Sequence, residues 1–522
     1  MIREISRRKC LRLWLCKPEY MGRTKWENRF VLLRFRKKNY MMFLKDLKRF
    51  KMERLYDKLK AYSESDFYAF HMPGHKRNKA LLGIELPYDL DITEIDGFDD
   101  LHHADGILKE EQERAARVFG AEESHFLVNG STAGILSAVM GCTHRGDKIL
   151  VARHCHKSIY HAIYMNGLVP RYVYPEFDIS MHMNGEISKE DVAKALAAEP
   201  DIKAVVIVSP NYDGVVSDVK GIAEVAHSYR IPLIVDEAHG PHFGFHPAFP
   251  GRANDLGADV VINSLHKTLP SLTQTAILHI NGKLANRRRI KKYLDMLQSS
   301  SPSYIFMASL DACVDFLDGK CEEAFELYVE RLQKFREELK SLQHLQILRT
   351  EHYDISKVVI STANANITSP ELAERLRKEY HLEMEMTGGT YVLAMTTVAD
   401  TQEGLDRLKA ALLEIDGQLE AKTAVSGSIE ISGELPRLEQ YFTPQEAADR
   451  EEDGEAEEIP WKESEGHISL EYAYLYPPGS PVIVPGERIS REAVELLCYY
   501  ETQNLQIEGI QTEGKIKVWK HE

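Results

Sequence analysis

None of the seven cysteines (Cys10, Cys16, Cys142, Cys155, Cys313, Cys321 and Cys498) sits in a CxxC pair. Odd in number and scattered, they argue against both a disulfide framework and a zinc site, and fit a reducing compartment. No stretch approaches the roughly 18 apolar residues of a membrane span, and no internal repeat is visible. Positive charge is scarce over most of the chain. Residues 1–50 carry 16 Lys and Arg against 4 Asp and Glu, but the other 472 carry 49 against 76. A body that acidic has no obvious reason to bind nucleic acid. A small cationic molecule suits it better, although net charge steers encounter without proving specificity.

What is present is an ordinary globular composition, long enough at 522 residues for two or three domains. The basic head has three readings: a targeting segment, a membrane-surface or nucleic-acid arm, or an extension outside the working fold. The third is favoured. Met52 opens MERLYDKLKAY, an amphipathic helix pattern with Leu55 and Leu59 on one face, and the head has no such regularity.

From residue 107 a helix (107–119) leads into alternating helices and short apolar strands. The predicted strands are 125–128, 148–153, 170–175, 203–210, 231–240, 259–267 and 275–280, with helices from about Ala133 and over 157–166. Continuous β-branched runs separated by helices predict a mostly parallel seven-stranded sheet buried on both faces. Such sheets bind ligands at the carboxyl ends of their strands. Residues 311–343 read as a long helical connection. Residues 346–420 read as a smaller α/β domain with a strand at 391–395 and helices at 370–379 and 402–414. Ten of the 20 residues from Glu446 to Glu465 are acidic, which predicts a solvated linker over 444–466. The Pro/Gly-punctuated segment 476–487 and a helix near 490–502 close the chain.

Four strand ends carry chemistry. Gly130-Ser131-Thr132 joins a strand to a helix, whose N-terminal N–H groups and dipole suit a phosphate; an ordinary helix cap has the same residues. Asp236 ends the strand LIVD, where a buried carboxylate needs a cation. A protonated pyridine nitrogen would serve. A metal site with His239, His242 and His246 is the alternative, without familiar spacing. Ser264, His266 and Lys267 end the predicted strand VVINSLHK. A lysine there can lose its proton to burial and form an imine, although a lone lysine is more often a surface residue. His156 can stack on a flat ring or shuttle a proton, or it can cap a helix. The order carries more weight than any member: 105 residues separate Ser131 from Asp236, and 31 more lead to Lys267.

The strings FHMPGHK (70–76), DDLHHADGILKEEQ (99–112), FLVNGSTAGI (126–135), HCHKS (154–158), SPNYDGVVSDV (209–219), VDEAHG (235–240), SLHKTLPSLTQTA (264–276), SSSPSYIFMASLD (299–311) and YPPGSPVIVPGE (476–487) closely resemble the bacterial ornithine/lysine/arginine decarboxylases of the aminotransferase-like fold (fold type I). The likeness runs from about Leu55 to the tail. It implies the α/β transferase-like fold with helices on both sheet faces and pyridoxal 5'-phosphate (PLP) as cofactor. It also implies decarboxylation of a basic amino acid in polyamine metabolism, with arginine favoured over lysine or ornithine.

Carried over by position, the likeness implies that Lys267 holds PLP as a Schiff base, Asp236 pairs with the pyridinium and His156 stacks on the ring. Ser131, Thr132, Ser264 and His266 would bind phosphate, and His239 would lie near the cofactor's O3′ side. One serine of 299–301, with Ser300 as the candidate, would reach the phosphate of a partner subunit, since such sites form at a dimer interface. The expected organisation is a basic extension (1–51, disordered), an interface segment (52–106), a PLP-binding domain (107–320), a small α/β domain (321–443), the acidic linker and a C-terminal segment (467–522). The expected protein is cytoplasmic, with no nucleic-acid or membrane partner and no metal, and is a homodimer or higher homo-oligomer. The short members begin near Met52, and the receiver-like wing of the larger enzymes has no counterpart, so oligomers built on that wing are not expected. An aminotransferase or other lyase, or a non-catalytic homologue, are the other readings.

Overall fold

Seven short runs form the central sheet; apart from the edge strand ESHFL, each consists mainly of apolar side chains that face helices on either side. They are β1 (Glu123–Leu127), β2 (Lys148–Ala152), β3 (Val169–Val173), β6 (Val205–Val208), β7 (Leu233–Asp236), β8 (Val260–Asn263) and β9 (Ala276–Ile280); a two-residue hairpin, β4 (Phe177–Asp178) with β5 (Met183–Asn184), lies outside the sheet. The order across it is β1-β9-β8-β7-β6-β2-β3. The pairs β8–β7, β7–β6, β6–β2 and β2–β3 are parallel, and β9 is antiparallel to both its neighbours. Six strands therefore point the same way, and their carboxyl ends share one edge with the start of β9. Every residue of β6, β7, β8 and β9 is buried. Each Val or Ile so buried contributes about 1.5–3 kcal/mol. The computed structural model describes residues 54–81, 83–178, 183–421, 434–475, 480–502 and 507–520, all within the unit Arg54–Glu522. The basic extension and the first four residues of 476–487 lie outside the described residues.

Four expectations need correction. The strands predicted over 231–240 and 259–267 end at Asp236 and Asn263, and Lys267 falls in the helical turn Leu265–Thr268. The helix after β1 begins at Gly130, three residues earlier than its pattern suggests, so Gly130-Ser131-Thr132 is its first turn. Gly130 has φ +70°, a conformation that strains any other residue. The long connection is two helices, Tyr304–Leu317 and Glu322–Glu338, because Gly319 (φ +73°) turns the chain between them. The acidic stretch is ordered. The Thr443 hydroxyl accepts from the Glu446 N–H while the Glu446 carboxylate accepts from the Thr443 N–H, which starts the helix Pro444–Glu452. The strand Ala456–Pro460 then pairs with the strand Lys515–Trp519. The stretch buries only Ala447, Trp461 and a few neighbours, and its charges face outward, so acidity marks one face of a folded element.

A second sheet, β10 (Gln346–Leu348), β11 (Lys357–Ser361), β12 (Met386–Thr387) and β13 (Tyr391–Met395), is antiparallel in the order β10-β11-β13-β12. It is stitched to the loop after β6. Val216 N–H donates to the His352 carbonyl (3.1 Å), and Asp354 N–H donates to Gly214 (2.8 Å). These bonds set the first residue of β11 beside the carboxyl edge of the large sheet.

The C-terminal part is anchored at the same edge. Arg153, just past β2, forms a two-pronged ion pair with Glu487 (2.8 Å on each prong) and donates to the Val482 carbonyl, with neither side chain exposed. Breaking one half of such a pair costs about 3–5 kcal/mol. At the other end, helix Leu55–Ser63 buries Leu55 and Leu59, and its Leu55 N–H donates to Asp311 (3.0 Å). No helix among the described residues is long and apolar enough to cross a membrane.

Candidate active site

A cavity of about 730 Å³ opens where the carboxyl edge of the large sheet meets the small sheet. Ser131, Thr132, His156, Asp236, His239, Ser264, His266 and Lys267 all line it, so eight of the nine candidate residues converge although the chain separates them by up to 136 positions. Ser300 is the exception. It lies on an exposed turn after the helix Arg287–Leu297, and the neighbouring Ser299 N–H meets Asn129 Oδ1 (3.4 Å).

The floor is built from strand ends. Asp236 is the last residue of β7 and is buried. Burial raises its carboxyl above the usual range, opposed by Lys267 and by the Ala238 N–H (3.2 Å). Lys267 lies in a single helical turn (Leu265–Thr268) directly after β8. Burial lowers its ammonium, and Asp236 and Glu385 pull the other way. The balance favours a free amine more than a surface lysine would.

Along one wall, the hydroxyls of Ser131 and Ser264 meet at 2.5 Å at the start of helix Gly130–Cys142. His266 Nδ1 faces the Thr275 carbonyl (2.8 Å), so Nδ1 carries the proton. Its Nε2 donates only when the ring is cationic. Burial opposes that state, and a phosphate dianion would favour it. His156 caps the helix Lys157–Met165 by accepting the Ser158 N–H at Nδ1 (3.2 Å), which leaves its proton on Nε2. Burial lowers this imidazole to about 4, so the ring is neutral at neutral pH. The cap reading and the cavity reading of His156 thus hold together.

His239, His242 and His246 do not converge on one point. His239 meets two lysines. His242 bonds Thr268 (3.0 Å) and Asp354 (3.1 Å), and His246 bonds Glu326 (3.0 Å). Among the described residues no group of three or more His, Cys, Asp or Glu is arranged to hold a metal.

These residues fit PLP. An amine, a buried carboxylate and a hydroxyl-lined helix start share one cavity, and its volume lies in the usual range of about 300–1,000 Å³ for small-molecule sites. Two buried atoms in its wall, His154 Nδ1 and Asn184 Oδ1, have no hydrogen-bond partner among the described residues. Unpaired polar atoms at such depth are costly unless a ligand or water meets them.

Two family models match nearly the whole described chain. Residues 53–413 match the Orn/Lys/Arg decarboxylase major domain, and residues 433–514 match the C-terminal domain. The chain belongs to the Orn/Lys/Arg decarboxylase family. An arginine decarboxylase of Bacillus subtilis is 34% identical over 471 residues, covering 87% of this chain and 95% of the relative. An arginine decarboxylase of Bacillus anthracis is 32% identical, covering 89% and 97%. Among solved structures, the Francisella novicida lysine decarboxylase superposes with a TM-score of 0.77 at 20% identity, covering 90% of this chain and 81% of that one. That likeness bears out the fold-type-I arrangement. The protein is accordingly a PLP-dependent decarboxylase acting on a basic amino acid.

The cavity also holds residues that the sequence did not single out. Tyr212, Asp213, Asn211 and Asn184 line the wall after β6 and in the β4–β5 hairpin, and Glu385 closes it from the small sheet. Ser480 reaches the rim and donates to the His154 carbonyl (2.7 Å). Lys357 stands behind His239, fully buried. A lysine opening the run KVVIS was the visible signal for Lys357. For the others, the strings SPNYDG and YPPGS hinted at a site, and Asn184 and Glu385 lay in neither.

Proposed function

We propose that this chain decarboxylates arginine, with lysine and ornithine as poorer substrates, on PLP held by Lys267 and Asp236. The observation that carries the reading is Lys267 Nζ in the same cavity as Asp236 and the Ser131–Ser264 pair. Identity of 32–34% to relatives named arginine decarboxylases supports arginine.

Bound there, PLP supplies an electron sink for the pair left behind when the carboxylate departs as CO₂. The chain supplies the rest. Lys267 carries the cofactor through Nζ and can take or return a proton there. Asp236 holds a positive charge at the end of β7. Ser131, Thr132, Ser264 and His266 hold the phosphate at the helix start. His156 would offer the cofactor a neutral ring with its proton on Nε2. Holding the substrate's Cα–carboxylate bond in one orientation would give an advantage that water lacks.

For the distal cation, Asp213 and Glu385 are the wall carboxylates away from Asp236. Asp213 accepts from the Tyr391 hydroxyl (2.6 Å), and Glu385 accepts from the Tyr212 hydroxyl. Both are tied in place, which suits recognition of a guanidinium. Release of CO₂ measured side by side with arginine, lysine and ornithine tests the reading. We expect the highest kcat/KM for arginine. No release from any of the three would sink it. The amine product would feed polyamine synthesis, and the expected compartment is the cytoplasm.

The working unit is a dimer with shared sites. Supporting it, Phe67, Tyr68, Phe70 and Met72 of the interface segment are 64–90% exposed in the single chain, a contiguous apolar run that a partner would cover. The Ser299–Ser301 turn would reach the partner's phosphate. Mixing a Lys267→Ala variant with a variant changed at Ser299, Ser300 and Ser301 together should restore partial activity. A fully active monomer by light scattering would refute sharing.

A further inference from the structure

The imidazole of His239 is held between two lysines. Lys267 Nζ lies 2.8 Å from its Nε2, and Lys357 Nζ lies 2.9 Å from its Nδ1. The Tyr212 ring flanks it with centroids 4.5 Å apart. A neutral imidazole has one N–H and one lone pair, and an ammonium can only donate. Both lysines therefore cannot be charged donors to the same neutral ring. One donates and the other accepts. Burial, together with the two lysines, keeps His239 neutral.

The surroundings of Lys357 decide which. It opens β11 in the field of Asp354, Glu385 and Asp213, with its Nζ over the Tyr212 ring (5.9 Å to the centroid) and Gly214 close against its stem. Asp354 is buried and held in the carboxylate form. Burial pushes its carboxyl up, but His242, Lys357 and the Ser356 hydroxyl (2.7 Å) outweigh that. Burial lowers Lys357 to about 8, opposed chiefly by Asp354, so the ammonium still dominates at neutral pH. Lys267, for its part, is the lysine that must be uncharged to bind an aldehyde.

We propose that Lys357 is a positioning residue of the decarboxylase: its ammonium donates to His239 Nδ1 and so holds the ring with Nε2–H turned toward Lys267 Nζ. The inference rests on the PLP reading of the cavity and extends it to a residue behind the wall. Lys357 does not itself line the cavity, so it acts through the histidine. The arrangement offers the amine of Lys267 a hydrogen-bond donor and a nearby positive charge, and both disfavour its protonation. It also gives a buried lysine in the small sheet a reason to be there.

The test uses the cofactor-loaded protein. In wild type labelled with ¹⁵N-histidine, the His239 signals, assigned by their loss in His239→Gln, should show Nε2 protonated and Nδ1 bare. The reverse tautomer overturns the proposal and needs no Lys357 variant. In Lys357→Met, the pH midpoint of the visible band of the cofactor–lysine link should rise by about one unit, since a cation and a fixed donor are both lost. Lys357→Arg, which keeps charge and donors, should restore it. In a His239→Gln background, Lys357→Met should shift the midpoint much less. A shift of equal size there would mean that Lys357 acts by charge alone and would overturn the positioning role, as would an unmoved midpoint in Lys357→Met. Wild type without a visible band or a borohydride-reducible link would instead defeat the PLP reading itself, which separates the two failures.

Discussion

Replacing Lys267 by Ala should abolish the borohydride-reducible cofactor link and lower kcat by at least about 10³-fold. Two buried lysines touch His239, so the cavity offers two amines on paper, and the geometry chooses between them. Lys267 follows the carboxyl end of β8, lines the cavity and shares its turn with Ser264 and His266, on the wall where a phosphate would rest. Lys357 sits behind the imidazole with no exposed surface. Lys267→Ala should therefore lose the link while Lys357→Met keeps it. Mass spectrometry after borohydride reduction, with the modified peptide sequenced, decides the matter. Reduction onto Lys357, or a Lys267→Ala enzyme with parental turnover, would refute the assignment.

Asp236→Asn should keep part of its PLP yet lose about 10²-fold or more of kcat. The amide matches the carboxylate in size and can still accept the Ala238 N–H, so the fold has little reason to change. What disappears is the charge. Burial already raises the Asp236 carboxyl, which means its anionic form depends on a cation nearby. A protonated pyridine nitrogen would be such a cation, and a neutral amide cannot hold it. Comparing kcat with cofactor content by absorbance separates weaker binding from weaker chemistry. Equal kcat in variant and parent would give Asp236 another role.

The two expectations rest on different amounts of sequence information. Strand ends were legible because a strand buried on both faces reads as an unbroken β-branched run, and a polar residue that ends the run stands out. Asp236 after LIV and Lys267 after VVINSLH are such residues. The acidic stretch misled because half its residues are charged, while its order comes from a two-residue capping box and pairing with a strand some 60 positions away. Charge density reports one face of an element and is silent on the other.

By itself, then, the sequence determined the seven strands of the large sheet, the carboxyl edge where chemistry gathers, and the family, since local apolar pattern and short motifs are properties of contiguous residues. Only the tertiary structure decided that β9 runs against its neighbours, that Tyr212, Asp213 and Glu385 line the cavity of Lys267, and that Lys357 stands behind His239 from a different sheet, 118 positions away. The physical reason is that these contacts depend on how the small sheet docks at the large one. That docking is set by backbone bonds such as those of Gly214 and Val216 to residues 352–354, and backbone bonds leave no mark in side-chain pattern.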